Sequence, residues 1–228
     1  REDLAQLLVD EIGKPITWAL GEVDRMAITF DLSADGVGWN VETGHPLDYD
    51  PRGADYQAAY RREPIGPVLC IVPYNWPFNL AAHKIGPALA GGNTIVLKPS
   101  GKAPISTLTL ARLIHEAGCP PGVLNAVNVS GALAERAALD PRIKKVSFTG
   151  SPAVGWRLKE LLPRKRVTLE LGGDASAIIL DDADVDWAAS RLATSAYGYA
   201  GQVCISAQHV WATPGVYDRF RAALITAT

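Results

Sequence analysis

Val68-Leu-Cys-Ile-Val-Pro-Tyr-Asn-Trp-Pro77 is the stretch that decides the fold. Its first five residues form a short continuous apolar run, the pattern of a strand covered on both faces. Two prolines bracket a turn, and a helix follows over residues 79–90, stopped by Gly91-Gly92. The same unit recurs downstream. Strands are predicted over residues 94–97, 123–127, 146–149, 167–171, 177–180 and 209–212. Helices are predicted over residues 106–117 and 133–139, from 152, over 184–199 and from 216. Short turns between alternating strands and helices give a parallel sheet with helices on both faces, an α/β protein. Upstream, Leu4, Leu7, Leu8 and Ile12 share one helical face, with Asp10 and Glu11 turned outward. Gly13-Lys-Pro15 breaks that helix. A second runs over residues 17–32 with Trp18, Val23 and Ile28 among its apolar positions. Residues 33–64 are rich in Gly, Asp, Pro and Tyr and read as a loop or an exposed β-hairpin.

Composition narrows the function classes. The chain has 228 residues, 48% of them hydrophobic and 20% charged, with a net charge of −2. That balance supplies a sizeable core and no basic field for nucleic acid. No apolar run reaches the roughly 18 residues of a membrane span, and the first residues do not read as a signal peptide. Cys70, Cys119 and Cys204 show neither metal-ligand spacing nor a disulfide framework, which fits a reducing, cytoplasmic setting. The first residue is Arg1, so the chain reads as a piece of something longer.

Several positions carry chemistry. Val167-Thr-Leu-Glu-Leu-Gly-Gly173 places a carboxylate, Glu170, inside an apolar strand that ends in two glycines. A buried glutamate has a raised pKa suited to a general base; the bland reading is an ion pair with Lys165 or Arg166. Gly201-Gln-Val-Cys204 delivers one cysteine just beyond a glycine, a nucleophile or an inert core thiol. Gly150-Ser-Pro-Ala-Val-Gly155 takes a strand directly into a helix, with Ser151 as N-cap and Pro152 at the first helical position. Such a start offers backbone N–H groups to an anion, although many turns of this kind bind nothing. Lys98 closes a buried strand at its carboxyl end, where α/β sheets hold ligands; a lysine reaching solvent is the plainer reading. Asn75 stands between Tyr74 and Trp76, as an oxyanion donor or an ordinary turn asparagine. The four histidines share no spacing.

Together these pieces resemble the aldehyde dehydrogenase superfamily. Pro73-Tyr-Asn-Trp-Pro77 is similar to its Pro-Trp-Asn-Phe-Pro turn, and Lys98-Pro-Ser100 to its Lys-Pro-Ser turn. Phe148-Thr-Gly-Ser151 with Gly155 is similar to Phe-Thr-Gly-Ser-x-x-x-Gly. Leu169-Glu-Leu-Gly-Gly173 resembles the general-base motif and Gly201-Gln-Val-Cys204 the nucleophile motif. The five occur in the family's order and cover nearly the whole chain. The resemblance implies a Rossmann-like dinucleotide-binding sheet, the beginning of a second α/β catalytic domain, and a β-hairpin oligomerisation segment. It implies N-terminal helices of the cofactor domain over residues 1–45, the hairpin over 46–63, the cofactor domain over 64–172 and a partial catalytic domain over 173–228. It also implies oxidation of a small-molecule aldehyde to a carboxylate with NAD or NADP, through a thiohemiacetal and a thioester on Cys204. Asn75 and the Cys204 N–H then hold the oxyanion, and Glu170 activates water. Lys98, Ser100, Gly101, Ser151, Gly150, Trp76 and Gly155 are the cofactor-binding positions; no metal, nucleic acid or membrane is implied, and the complete protein is expected to be a homo-oligomer, dimer or tetramer.

Departures from the pattern qualify these expectations. Gly101 stands where many NAD-preferring members place a glutamate, and Lys102 adds a positive charge nearby, so NADP is expected to be tolerated. The chain ends at Thr228, before the family's Glu-x-Phe-Gly-Pro stretch. Two alternatives follow: a CoA-acylating relative, against which Glu170 argues, and an inactive truncated cofactor-binding fragment. Gly-Gln-x-Cys-Ile with Gln208 resembles the branch acting on small hydroxy- or phospho-substituted aldehydes.

Overall fold

The computed structural model describes residues 1–39 and 43–228; residues 40–42, inside the polar segment 33–64, lie outside the described residues. Internal contacts divide the chain into two compact units. One comprises Arg1–Thr149 with Trp156–Leu169, the other Gly150–Gly155 with Glu170–Thr228.

The first unit opens with α1 (Glu2–Ile12) and α2 (Ile16–Asp35). Gly13 separates them in the left-handed region (φ 65°), where it bonds back to the carbonyls of α1. A short antiparallel pair, β1 (Thr43–His45) and β2 (Ala58–Tyr60), follows in the segment predicted as loop or hairpin. The alternation then runs β3 (Val68–Ile71), α3 (Pro77–Ala90), β4 (Ile95–Lys98), α4 (Pro104–Glu116), β5 (Leu124–Ala126), α5 (Gly131–Leu139), β6 (Lys145–Gly150), α6 (Pro152–Leu161) and β7 (Arg166–Leu171). The strand order is β5-β4-β3-β6-β7, with β3 parallel to both β4 and β6 and β4 parallel to β5. The order reverses between β3 and β6. Open α/β sheets hold ligands at such a switch point, beyond the carboxyl ends of the strands.

The centre of this sheet explains its sequence. All four residues of β3 are buried, as the continuous apolar run requires. Val68, Cys70, Ile95 and Leu97 pack with Phe78, Ala81, Ala82 and Ile85 of α3, Leu8 of α1 and Val23 and Met26 of α2. Each such large side chain contributes about 1.5–3 kcal/mol by leaving water. One inward and one outward expectation change here. Ile28 is exposed. Glu11, expected in solvent, is half-buried, and its carboxylate accepts from Ile105 N–H, Ser106 N–H (2.8 Å) and the Ser106 hydroxyl. It caps the first turn of α4, which has no cap of its own.

The second unit continues with β8 (Ala175–Ile179), α7 (Val185–Tyr197), β9 (Ala207–Ala212) and α8 (Tyr217–Ala227). β8 and β9 pair in parallel, with Gln208 as the extra residue between the Ala175–Ala207 and Ser176–His209 pairs. Ile179, Val185, Ala188, Ala189, Val216 and Phe220 form its core. Asp184 caps α7 by accepting from Trp187 N–H (3.1 Å), as its position predicts.

Buried Gly86 marks a close approach of α2 and α3. A Cβ there would lie 2.9 Å from the Ser33 Cβ, with the Ser33 hydroxyl nearer still. Gly86→Val should therefore destabilise the protein by about 2 kcal/mol through overpacking, lowering the melting temperature by roughly 4–8 °C in a thermal melt. An unchanged melt would mean the helices can part at no cost.

Candidate functional site

In the first unit the site begins at the turn that ends β3. Val72 N–H donates to the Lys98 carbonyl (3.2 Å), so the ends of β3 and β4 stay in register. The Asn75 side-chain oxygen accepts from Trp76 N–H (3.1 Å), which fixes the sense of its amide. The turn is held from below by an ion pair absent from the sequence expectations. Lys14, in the break between α1 and α2, and Glu22, on α2, are both fully buried (0% exposed) and bonded to each other. The Lys14 ammonium also donates to the Asn75 carbonyl (2.8 Å) and lies 3.5 Å from the centre of the Trp76 ring. Trp18 meets the same ring edge-on. Glu22 accepts from Phe78 N–H (2.8 Å) and Asn79 N–H (3.1 Å), the first orphan donors of α3. Burial pushes the Lys14 pKa down and the Glu22 pKa up, and each charge opposes the shift of the other. The legible signal for this pair was a lysine between glycine and proline at a helix break, with a glutamate on an otherwise apolar helix face.

The second element is the turn after β4. Lys98 is half-buried, and desolvation lowers its pKa. Ser100 accepts from Lys102 N–H at its hydroxyl (3.2 Å) and from Ala103 N–H at its carbonyl (3.2 Å). Lys102 reaches back over the Tyr74 ring (4.9 Å), tying this turn to the first. Gly101 is exposed, and a Cβ on it would meet nothing within 4 Å. Asn75, Trp76, Lys98, Ser100 and Gly101 thus gather at the carboxyl edge of one sheet. The N-termini of α3 and α4 beside them are already occupied by Glu22 and Glu11.

The remaining residues belong to the second unit. Ser151 is exposed where α6 starts at Pro152, and Gly155 is buried against Leu171, so its lack of a side chain serves close packing. Glu170 is exposed, which corrects the expectation of a buried acid. The physical reason is that β7 is an edge strand with strict alternation. Val167, Leu169 and Leu171 are half-buried on one face, and Thr168 and Glu170 are exposed on the other. Lys165, offered as an ion-pair partner, instead donates to the Ala138 and Asp140 carbonyls. Cys204 is also exposed. It sits second in a turn closed by Ser206 N–H to the Val203 carbonyl (3.0 Å). Before it, Tyr199, Ala200 and Gly201 run consecutively in the left-handed region (φ 52°, 53° and 72°). The strand end and the cysteine turn meet closely: a Cβ on Gly173 would lie 2.9 Å from the Cys204 carbonyl oxygen.

The family model described as the aldehyde dehydrogenase family matches residues 1–228. The chain belongs to the aldehyde dehydrogenase family. It is 38% identical over 221 residues to 3-sulfolactaldehyde dehydrogenase of Priestia aryabhattai, covering 96% of this chain and 46% of that one. It is 40% identical over 230 residues to the NADP-dependent succinate-semialdehyde dehydrogenase GabD of Escherichia coli, covering 98% and 46%. The crystal structure of an NAD-dependent aldehyde dehydrogenase from Sinorhizobium meliloti superimposes with a TM-score of 0.93 at 38% identity, over 99% of this chain and 45% of that one. The chain thus spans about half the length of the aldehyde dehydrogenases it matches. Among the described residues there is no cluster of ligands able to hold a metal ion, and no helix long and apolar enough to cross a membrane.

The three cysteines differ in a measurable way. Cys70 is fully buried and its thiol pKa is pushed up to about 11, chiefly by desolvation. Iodoacetamide at neutral pH should alkylate Cys204 at least about tenfold faster than Cys70, read by peptide mass spectrometry. The Cys70 shift also sets an alkaline limit. Its folded pKa lies above the unfolded one, so its contribution is complete at neutral pH. As pH rises from about 9 to about 11 the unfolded thiol ionises first, and about 2 kcal/mol of stability is lost.

Proposed function

We propose that this chain supplies the cofactor-binding sheet and the reacting thiol of an NAD- or NADP-dependent aldehyde dehydrogenase. The observation that carries the reading is the contact of Gly173 with the Cys204 carbonyl, which packs the strand end carrying Glu170 against an exposed cysteine turn. The donor set fits a dinucleotide. Lys98, Ser100 and Gly101 at the sheet edge suit a ribose with or without a 2′-phosphate, because no carboxylate stands at position 101. The start of α6 at Gly150 and Ser151 suits a pyrophosphate, since the N-termini of α3 and α4 are filled by the protein's own carboxylates. Trp76 lines the same edge. When bound, the cofactor supplies the hydride acceptor.

The protein's own residues perform the rest. The Cys204 thiolate adds to the aldehyde carbon; an S–C bond forms and the carbonyl electrons move onto oxygen. The Asn75 amide and the Cys204 N–H stabilise that oxyanion. After oxidation to the thioester, Glu170 takes a proton from a water molecule as the water adds to the acyl carbon, and the thiolate leaves from a carboxylate product. An exposed carboxylate with access to water suits this last step, and it favours water over CoA as the acceptor. The relatives named above act on a sulfolactaldehyde and a succinate semialdehyde, which supports a small aldehyde bearing an acidic group. The exposed β1–β2 pair, with His45 stacked on Tyr60 (5.3 Å), supports a homo-oligomeric contact.

Two measurements on the full-length protein test this. Glu170→Gln should retain a stoichiometric burst of reduced cofactor from succinic semialdehyde and lose steady-state turnover by roughly 10²–10⁴-fold. Cys204→Ala should abolish both phases, and a burst in that variant would sink the mechanism.

A further inference from the structure

We infer that the buried Lys14–Glu22 pair is the positioning device for the Asn75 oxyanion donor, so that carbonyl activation depends on two residues remote in sequence from every chemical motif. The inference rests on the reading of Asn75 given above. Five contacts carry it. The Lys14 ammonium donates to the Asn75 main-chain carbonyl, fixing the peptide plane that leads into Trp76. The same ammonium sits on the Trp76 ring, so the residue after Asn75 cannot rotate without losing a cation–π contact. Glu22 holds the next two N–H groups, Phe78 and Asn79, and so fixes where α3 starts. The Asn75 side-chain oxygen then accepts from Trp76 N–H, linking the amide orientation to the peptide plane that Lys14 fixes.

A simple stability role explains this arrangement poorly. Two fully desolvated charges cost several kcal/mol each, and a buried pair is often no better than an apolar pair of the same shape. The geometry instead sets one charge on the backbone of the donor residue and the other on the first two free N–H groups of the helix that follows it. The Lys14 backbone N–H is itself tied to the Leu8 carbonyl (3.4 Å), so the ammonium projects from a fixed helix break and not from a mobile surface stem.

The experiment removes both charges together. Lys14→Met with Glu22→Gln keeps side-chain volume, and the amide oxygen still accepts from Phe78 and Asn79. On the full-length protein, three readouts are taken: kcat with saturating cofactor and aldehyde, the rate of Cys204 alkylation by iodoacetamide, and the thermal midpoint. Alkylation creates no oxyanion, so it reports thiol and fold without needing Asn75. The expected result is a fall in kcat of roughly 10–100-fold, as for a misplaced donor. The alkylation rate should hold within about twofold, and the melt should remain within a few degrees. Retained kcat overturns the inference when Asn75→Ala, assayed alongside, loses kcat. Joint loss of turnover, alkylation and thermal stability also overturns it, because the pair is then only a prop. If Asn75→Ala keeps full kcat, the oxyanion role of Asn75 is itself wrong, and the inference falls with it.

Discussion

A lysine and a glutamate with no access to water govern the geometry of the first unit. Lys14 and Glu22 both lie in the N-terminal helices, yet their partners are the backbone groups of residues 75, 78 and 79. The helices therefore do more than cover the sheet. They hold the backbone between the end of β3 and the first turn of α3. Glu11 repeats the device one strand along, at the start of α4. Two helix ends that face the carboxyl edge of the sheet are thereby filled with protein carboxylates.

The second unit solves a different problem. Its cysteine is exposed on a constrained turn. Two non-glycine residues, Tyr199 and Ala200, adopt left-handed angles that cost about 1–2 kcal/mol each. Burial of Tyr199 and the bond from Gln202 N–H to its carbonyl (3.1 Å) oppose that cost, as does the Ser206 hydroxyl on the Ala196 carbonyl (3.1 Å). Gly173 lets the neighbouring strand end press against the turn from the other side.

Much of this was legible in the sequence. The buried run of β3, the alternation that follows, the αL break at Gly13 and the Asp184 cap each have a local cause, and each appears as its residues imply. The motif residues also stand at strand ends and turns, where the pattern put them. Two kinds of feature were not legible. The exposure of Glu170 depends on β7 lying at a sheet edge, and strand order is a long-range property that no window of residues contains. The partners of Lys14, Glu22 and Glu11 lie dozens of residues away. Only the approach of α1 and α2 to the turns beyond β3 and β4 takes them inside.

Gly101 has a consequence for how this protein can change. Nothing lies within 4 Å of the place its side chain would occupy, and its backbone is outside the left-handed region that demands glycine. An acidic residue could be gained or lost there without repacking a neighbour. In the proposed cofactor site, the charge at this position is thus decoupled from folding. On that proposal, a lineage carrying this sheet gains or loses the charge in single steps over level ground, while the buried pairs stay fixed.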